Sequence, residues 1–180
     1  MANSLKYLSS YSPALQSQSQ KMLDENTLKD YLLNKYPICH EFTSDKALRV
    51  FAMNIKNNYL KSTGPLSQVK FDDKIHIINN ALGLHTYASR VQGNKIKSKN
   101  EIRIGSLFKK SPEPFLQMIV VHELAHLKEK EHNKAFYKLC EYMMRDYHQV
   151  ELDLRLYLTQ VEFKGGIYPL LNIKTILITD

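Results

Sequence analysis

The apolar positions of this chain are spaced for helices over much of its length. Leu48, Phe51, Ala52, Ile55, Tyr59 and Leu60 recur at i, i+3, i+4, i+7, i+11 and i+12, the stripe of an amphipathic helix. Thr43-Ser44-Asp45 supplies its start and Gly64-Pro65 its end. Upstream, Ser12-Pro13 opens a helical stretch to Lys35 in which Leu23, Leu28, Tyr31, Leu32 and Tyr36 fall at helical spacing, and Pro37 stops it. From Leu66 to Phe108 the pattern changes. Ile102 and Ile104 alternate with charged neighbours, while Asp72-Asp73, Asn79-Asn80, Gly83, Gly93-Asn94 and Gly105 break up the region. This predicts two to four short strands, with a hairpin turn near Gly93-Asn94.

Helical spacing then returns. Ser111-Pro112-Glu113-Pro114 combines a capping Ser, a Pro in the first turn and an acid near the positive end of the dipole. It predicts an amphipathic helix over 112–128 with Phe115, Met118, Ile119 and Leu124 facing inward. Another helix should open near His132-Asn133, with a stripe of Phe136, Leu139, Cys140, Met143, Met144 and Tyr147. Val150, Leu152, Leu154, Leu156 and Leu158 alternate with polar residues or Tyr, which predicts a strand, although Leu also suits a helix. The expected architecture is therefore α+β: N-terminal helices, a small antiparallel or mixed sheet, a helix over 112–128 and a supporting C-terminal helix. Residues 1–43 read as a helical extension and 44–163 as the main domain. Gly165-Gly166 and Pro169 set off a tail, 164–180, with no assigned role.

Composition narrows the classes. At 180 residues, 43% hydrophobic and 24% charged, the chain suits one globular core. Its apolar runs fall far short of the ~20 residues a membrane helix needs, and Met1 to Gln20 carries no apolar signal segment. A soluble, cytoplasmic protein with no membrane partner is expected. Cys39 and Cys140 lie far apart in no Cys-x-x-Cys pattern and read as two reduced thiols. The formal charge of +7 is concentrated: residues 46–110 hold 13 Lys and Arg against three acids, Asp72, Asp73 and Glu101. Such a segment is either a solvated Lys-rich surface or a contact for nucleic acid. No RNA- or DNA-binding motif accompanies it.

The sharpest signal is His122-Glu123-Leu124-Ala125-His126, an H-E-x-x-H motif inside the helix predicted over 112–128. Residues four apart share a helix face with Cβ atoms about 5–6 Å apart. Two imidazoles so placed can meet one zinc ion at about 2.0–2.1 Å each. Glu123, one position along, is badly placed to join them but well placed to take a proton from an attacking water and pass it to the leaving group.

A zinc hydrolase needs a third protein ligand. His132 is six residues beyond His126, and a straight helix would turn it about 120° off that face. The helix must end between the two and the chain bend back through Lys128-Glu129-Lys130-Glu131. Metzincins place Gly where this chain has Glu129, so the bend has to form without it. The competing assignment makes His132 a helix cap and Glu141 or Glu151 the third ligand.

Val120-Val121-His122-Glu123-Leu124-Ala125-His126-Leu127, followed by His132, Phe136 and Asp146-Tyr147-His148, resembles the YgjP-like metallopeptidase family, which is related to the WLM and SprT-like zinc proteases. The likeness covers roughly Ser44 to Tyr147. It implies a compact zincin-like fold, a zinc ion on His122, His126 and His132, Glu123 as the catalytic base and acid, and peptide-bond hydrolysis of a peptide or protein substrate. The competing expectation is a nucleic-acid-associated protein. That could be a SprT-like protease acting on DNA-bound proteins, or a non-catalytic module binding through the basic 46–110 segment.

Other side chains carry weaker expectations. Tyr137 or Tyr147 could donate to an oxyanion, though Tyr147 also fits the core stripe. His148 either orients a ligand or caps a helix, and His76 and His85 read as structural. Glu101 to Gly105 is the candidate edge strand for an extended substrate, as the last strand-like stretch before the motif helix.

Overall fold

A computed structural model describes residues 5–75, 83–92 and 95–168, with backbone alone over 83–92 and 95–99. The described residues form six α-helices and a three-stranded sheet with one hydrophobic core cluster: α1 (Pro13–Asp24), α2 (Thr27–Lys35), α3 (Asp45–Tyr59), β1 (Leu66–Asp72), β2 (Gly83–Gln92), β3 (Lys95–Gly105), α4 (Glu113–Ala125), α5 (Lys134–Met143) and α6 (Tyr147–Lys164). Among the described residues no helix is long and apolar enough to cross a membrane. Cys39 and Cys140 are both free thiols.

Local chemistry explains most of the boundaries. Ser12 caps α1 and Ser44 caps α3, each accepting a backbone N–H three residues on. The stretch expected as one helix over 12–35 is two, because Asn26 takes a left-handed conformation (φ 57°) between them. Asn tolerates that region better than most residues, so the break costs little. Ser111 does not cap α4. Its hydroxyl donates to the Phe108 and Pro112 carbonyls, and Pro112 itself stands at the helix start.

The sheet is mixed, in the order β1-β3-β2. β1 runs parallel to β3, from Leu66 opposite Asn100 to Asp72 opposite Gly105. β2 pairs antiparallel with β3 from Gly83 opposite Ile104 to Gln92 opposite Lys95. The predicted turn residues Gly93-Asn94 lie outside the described residues, but the pairing on either side of them is that of a hairpin. This order corrects the expected edge strand. Glu101 to Gly105 lies in the central strand, hydrogen-bonded on both sides, with Ile102 and Ile104 fully buried. The edges belong to β1 and β2.

Two helices differ from their sequence patterns for one reason, contact from several directions. α4 is apolar nearly all round rather than amphipathic, and it touches α3, α5, α6, β2 and β3. The alternating stretch Val150 to Leu158 is helix α6, not a strand. Neighbours on α2, α4, α5 and the turn Lys6–Leu8 surround α6, so buried residues occur on more than one face and mimic a period of two. The N-terminal helices are tied to it through Asp153. This fully buried carboxylate accepts from the Tyr36 hydroxyl (2.7 Å), the Tyr31 hydroxyl (2.8 Å), the Lys35 ammonium (2.6 Å) and the Gln149 amide (3.2 Å).

The entry to α4 is clipped by the segment after α2. Cys39 bridges Pro112, and the His40 N–H donates to the Ser111 carbonyl at 3.1 Å. The buried His40 ring donates from Nε2 to the Phe108 carbonyl (2.7 Å) and accepts the Phe42 N–H at Nδ1 (3.0 Å), an arrangement only the neutral ring can make. Burial is the main cause that holds its pKa below the usual 6.5. The unfolded chain therefore binds this proton first, and stability is lost as pH falls from 6.5 towards the folded value. We expect His40 to contribute a slope of up to about 1.4 kcal/mol per pH unit in that window. Urea melts across the acid range should show a shallower pH dependence for His40→Gln. An unchanged slope would remove His40 from the account.

Candidate metal centre

α4 carries His122 and His126 to one corner of the molecule and stops at Ala125, with His126 at its C-terminal boundary. A tight turn follows: Leu127 N–H donates to Leu124 O (3.1 Å), and Lys128 and Glu129 N–H both donate to Ala125 O (3.0 Å each). The required reversal is thus made without Gly. Among the described residues positive φ occurs only at Asn26 and Gly165, so Glu129 pays no left-handed penalty. Asn133 then caps α5 by accepting the Phe136 N–H at 2.9 Å, which fixes His132 just ahead of the new helix.

The result is a convergence of three imidazoles. Nε2 of His132 lies 3.1 Å from Nε2 of His122 and 3.1 Å from Nε2 of His126. One candidate ligand atom from each of the three falls within 4.8 Å of the others, an arrangement that could hold a metal ion. Ligands at about 2.0–2.1 Å around a tetrahedral ion stand about 3.3–3.4 Å apart, so the observed spacing fits one small cation. Glu141 and Glu151, the competing third ligands, are engaged elsewhere. Glu141 pairs with His148 at 2.9 Å and Glu151 with Arg155 at 2.8 Å.

The surroundings favour neutral rings at His122 and His126. Burial, and then the two neighbouring imidazoles, hold the His122 pKa down to about 3, and burial lowers that of His126. Nδ1 of His126 lies 3.0 Å from the Glu129 carbonyl and Nδ1 of His122 lies 2.8 Å from the Tyr147 hydroxyl. A carbonyl only accepts, so the His126 hydrogen sits on Nδ1 and its Nε2 is open to a cation. Phe136, fully buried, forms a floor: its ring centroid is 4.9, 4.8 and 4.7 Å from those of His122, His126 and His132. Glu123 is 4% exposed, while His132 faces solvent, so the cluster is open on one side.

The sequence placed Phe136 in a core stripe and offered Tyr147 as core residue or oxyanion donor; Tyr147 is fully buried with its hydroxyl at His122 Nδ1. For Phe136 the spacing from His132 was the available signal: four residues puts it on the first turn of α5. Tyr137 stands near the cluster, 6.4 Å from the His132 ring. His148 lies 2.9 Å from a Glu141 carboxylate oxygen and 3.9 Å from one of Glu151. His76 lies outside the described residues, and His85 is described only as a β2 residue paired with Ile102.

Three histidines that could hold a metal ion, two of them at the end of the helix that bears a buried glutamate, suit a metal-dependent hydrolase-like protein. The family described as "YgjP-like, metallopeptidase domain" matches residues 67–157. A protein of Escherichia coli (strain K12) named UTP pyrophosphatase is 53% identical over 159 residues, covering 88% of this chain and 95% of that protein. The chain belongs to the YgjP-like family. No solved structure matches it.

Proposed function

We propose that the chain is a zinc-dependent hydrolase in which His122, His126 and His132 hold the ion and Glu123 handles the proton. The observation that carries this reading is the 3.1 Å approach of His132 Nε2 to the Nε2 atoms of both His122 and His126, at the end of the helix that also bears a buried glutamate. When bound there, zinc supplies a Lewis acid that brings the pKa of a water towards about 7. Glu123 accepts the proton of that attacking water and returns it to the leaving group. Tyr147 and the Glu129 carbonyl keep two of the imidazoles turned towards the ion.

For the substrate, the 53% identity with a protein named UTP pyrophosphatase favours a nucleoside triphosphate, UTP first. Water would then bond to the α-phosphorus while its bridge to the β-phosphate breaks, giving UMP and pyrophosphate. The basic 46–110 segment suits a polyanion of this kind. The second reading is peptide-bond hydrolysis. It is favoured by the H-E-x-x-H helix and by β2, an edge strand that contacts α4 and could pair with an extended peptide.

The deciding experiment incubates the zinc-reconstituted chain separately with UTP and with an unfolded protein such as casein. Pyrophosphate release from UTP, with casein left intact, is the expected result. Casein cleavage with UTP untouched would transfer the assignment to the peptidase reading. Turnover of neither would overturn the hydrolase reading. Salt-sensitive retention of duplex DNA, measured in parallel, would instead give the basic segment to nucleic acid.

A further inference from the structure

The turn between α5 and α6 borders a cleft of about 570 Å³, lined also by the end of α3, the first turns of α4 and the end of α5. Small-molecule sites commonly hold about 300–1,000 Å³. None of the three clustered histidines lines this cleft. Gln117, which does, precedes His126 along α4 by about 13 Å of helix rise. The cleft therefore lies apart from the metal centre.

Its walls hold side chains with nothing to do in the fold. Tyr142 is 65% exposed and Tyr59 39%, and their rings meet edge to face at 5.3 Å. Together with the buried Met143 and Met144 they give the cleft an aromatic and apolar surface. Gln117, Arg145 and Asp146 supply an amide, a guanidinium and a carboxylate. Among the described residues no side-chain hydrogen bond or ion pair engages any of these three. Glu141, the other acid of the cleft, lies 2.9 Å from His148.

Each unengaged group matches one part of a nucleotide. A base stacks on an exposed aromatic ring whatever its identity. A primary amide both donates to and accepts from the polar edge of a base. A carboxylate accepts from ribose hydroxyls, and a guanidinium pairs with phosphate. We propose that this cleft binds a nucleoside monophosphate, with the base on Tyr142 beside Gln117, the ribose on Asp146 and the phosphate on Arg145. One guanidinium beside one unengaged carboxylate suits a single phosphate rather than three. The choice of UMP as probe rests on the pyrophosphatase reading above, in which it is a product; the chemistry of the cleft does not.

UMP and uridine, titrated calorimetrically into the full chain both zinc-loaded and after chelation, test the assignment. UMP should bind saturably in both states. Tyr142→Ala should weaken it about 10–100-fold. Arg145→Ala should weaken UMP about 10-fold and leave uridine unchanged, because only the phosphate contact is lost. Both side chains are exposed, so Tm and zinc uptake should stay as in the unmutated protein. UMP binding that disappears on chelation would place the nucleotide on the metal and overturn the proposal. Unchanged UMP affinity in Tyr142→Ala, or no saturable binding at millimolar UMP, would overturn it as well. If the chain turns over neither UTP nor casein, the hydrolase reading fails, and the titrations into the chelated chain still decide the cleft.

Discussion

Glu123→Gln is expected to bind one metal ion per chain as tightly as the unmutated protein and to hydrolyse its substrate about 10²–10⁴-fold more slowly. The substitution keeps the shape and burial of a side chain that is 4% exposed, and it removes the capacity to accept a proton. Glu123 sits one residue from His122, where the helix turns it about 100° from His122 and about 60° from His126. Loss of the base should therefore separate cleanly from loss of the ion. The loss corresponds to about 3–5 kcal/mol of transition-state stabilisation. Elemental analysis and a turnover assay on the same preparation check it. A variant that lost zinc along with activity would put the carboxylate among the ligands. One that kept activity would dismiss it as the base.

The second large effect is removal of a ligand. His122→Ala and His126→Ala should each abolish stoichiometric zinc, and activity with it, because the two form the helical pair on which the site is built. His132→Ala should weaken zinc markedly, since it leaves two imidazoles where three converge at 3.1 Å. Glu141→Ala and Glu151→Ala should leave it unchanged, because both carboxylates are occupied by other partners. Zinc uptake should also stabilise the fold, by about 2.7 kcal/mol when free metal is a hundredfold above Kd. The ion would tie the end of α4 to the start of α5 across the turn at residues 126–133. A thermal melt with and without zinc, run on each variant, reads both effects. Undiminished zinc binding by His132→Ala, with loss in either Glu variant, would reverse the choice of third ligand.

Much of the site was legible in the chain because its signals are local. A spacing of four on a helix fixes the relation of His122 to His126 whatever surrounds them. The need for a reversal before His132 follows from helix geometry alone. Asn133, a good capping residue, marked where the next helix begins. Ser44 marked the start of α3 in the same local way, whereas the helix ends at Tyr59, before the expected stop at Gly64-Pro65. The resemblance to the YgjP-like family rests on the run Val120 to Leu127 with His132, Phe136 and Asp146-Tyr147-His148, and the match over 67–157 agrees with it.

What the sequence left open depended on which surfaces meet. The leucines at 152, 154, 156 and 158 gave a period of two, yet α6 is a helix, because elements pack on it from several sides and apolar residues are needed around most of its circumference. The same crowding hid the true character of α4. Strand order was equally invisible: nothing within Glu101 to Gly105 says that β1 lies along one side of it and β2 along the other. Equally out of reach was the 2.8 Å contact between His122 Nδ1 and the Tyr147 hydroxyl, 25 residues away on another helix. The sequence by itself determined the shared face of His122 and His126 and the place where a new helix opens after His132, because helix periodicity and capping act over a few residues. Only the tertiary structure decided the central place of β3, the helical state of residues 147–164 and the partners that orient the imidazoles, because those follow from packing between segments whose pairing no local pattern encodes.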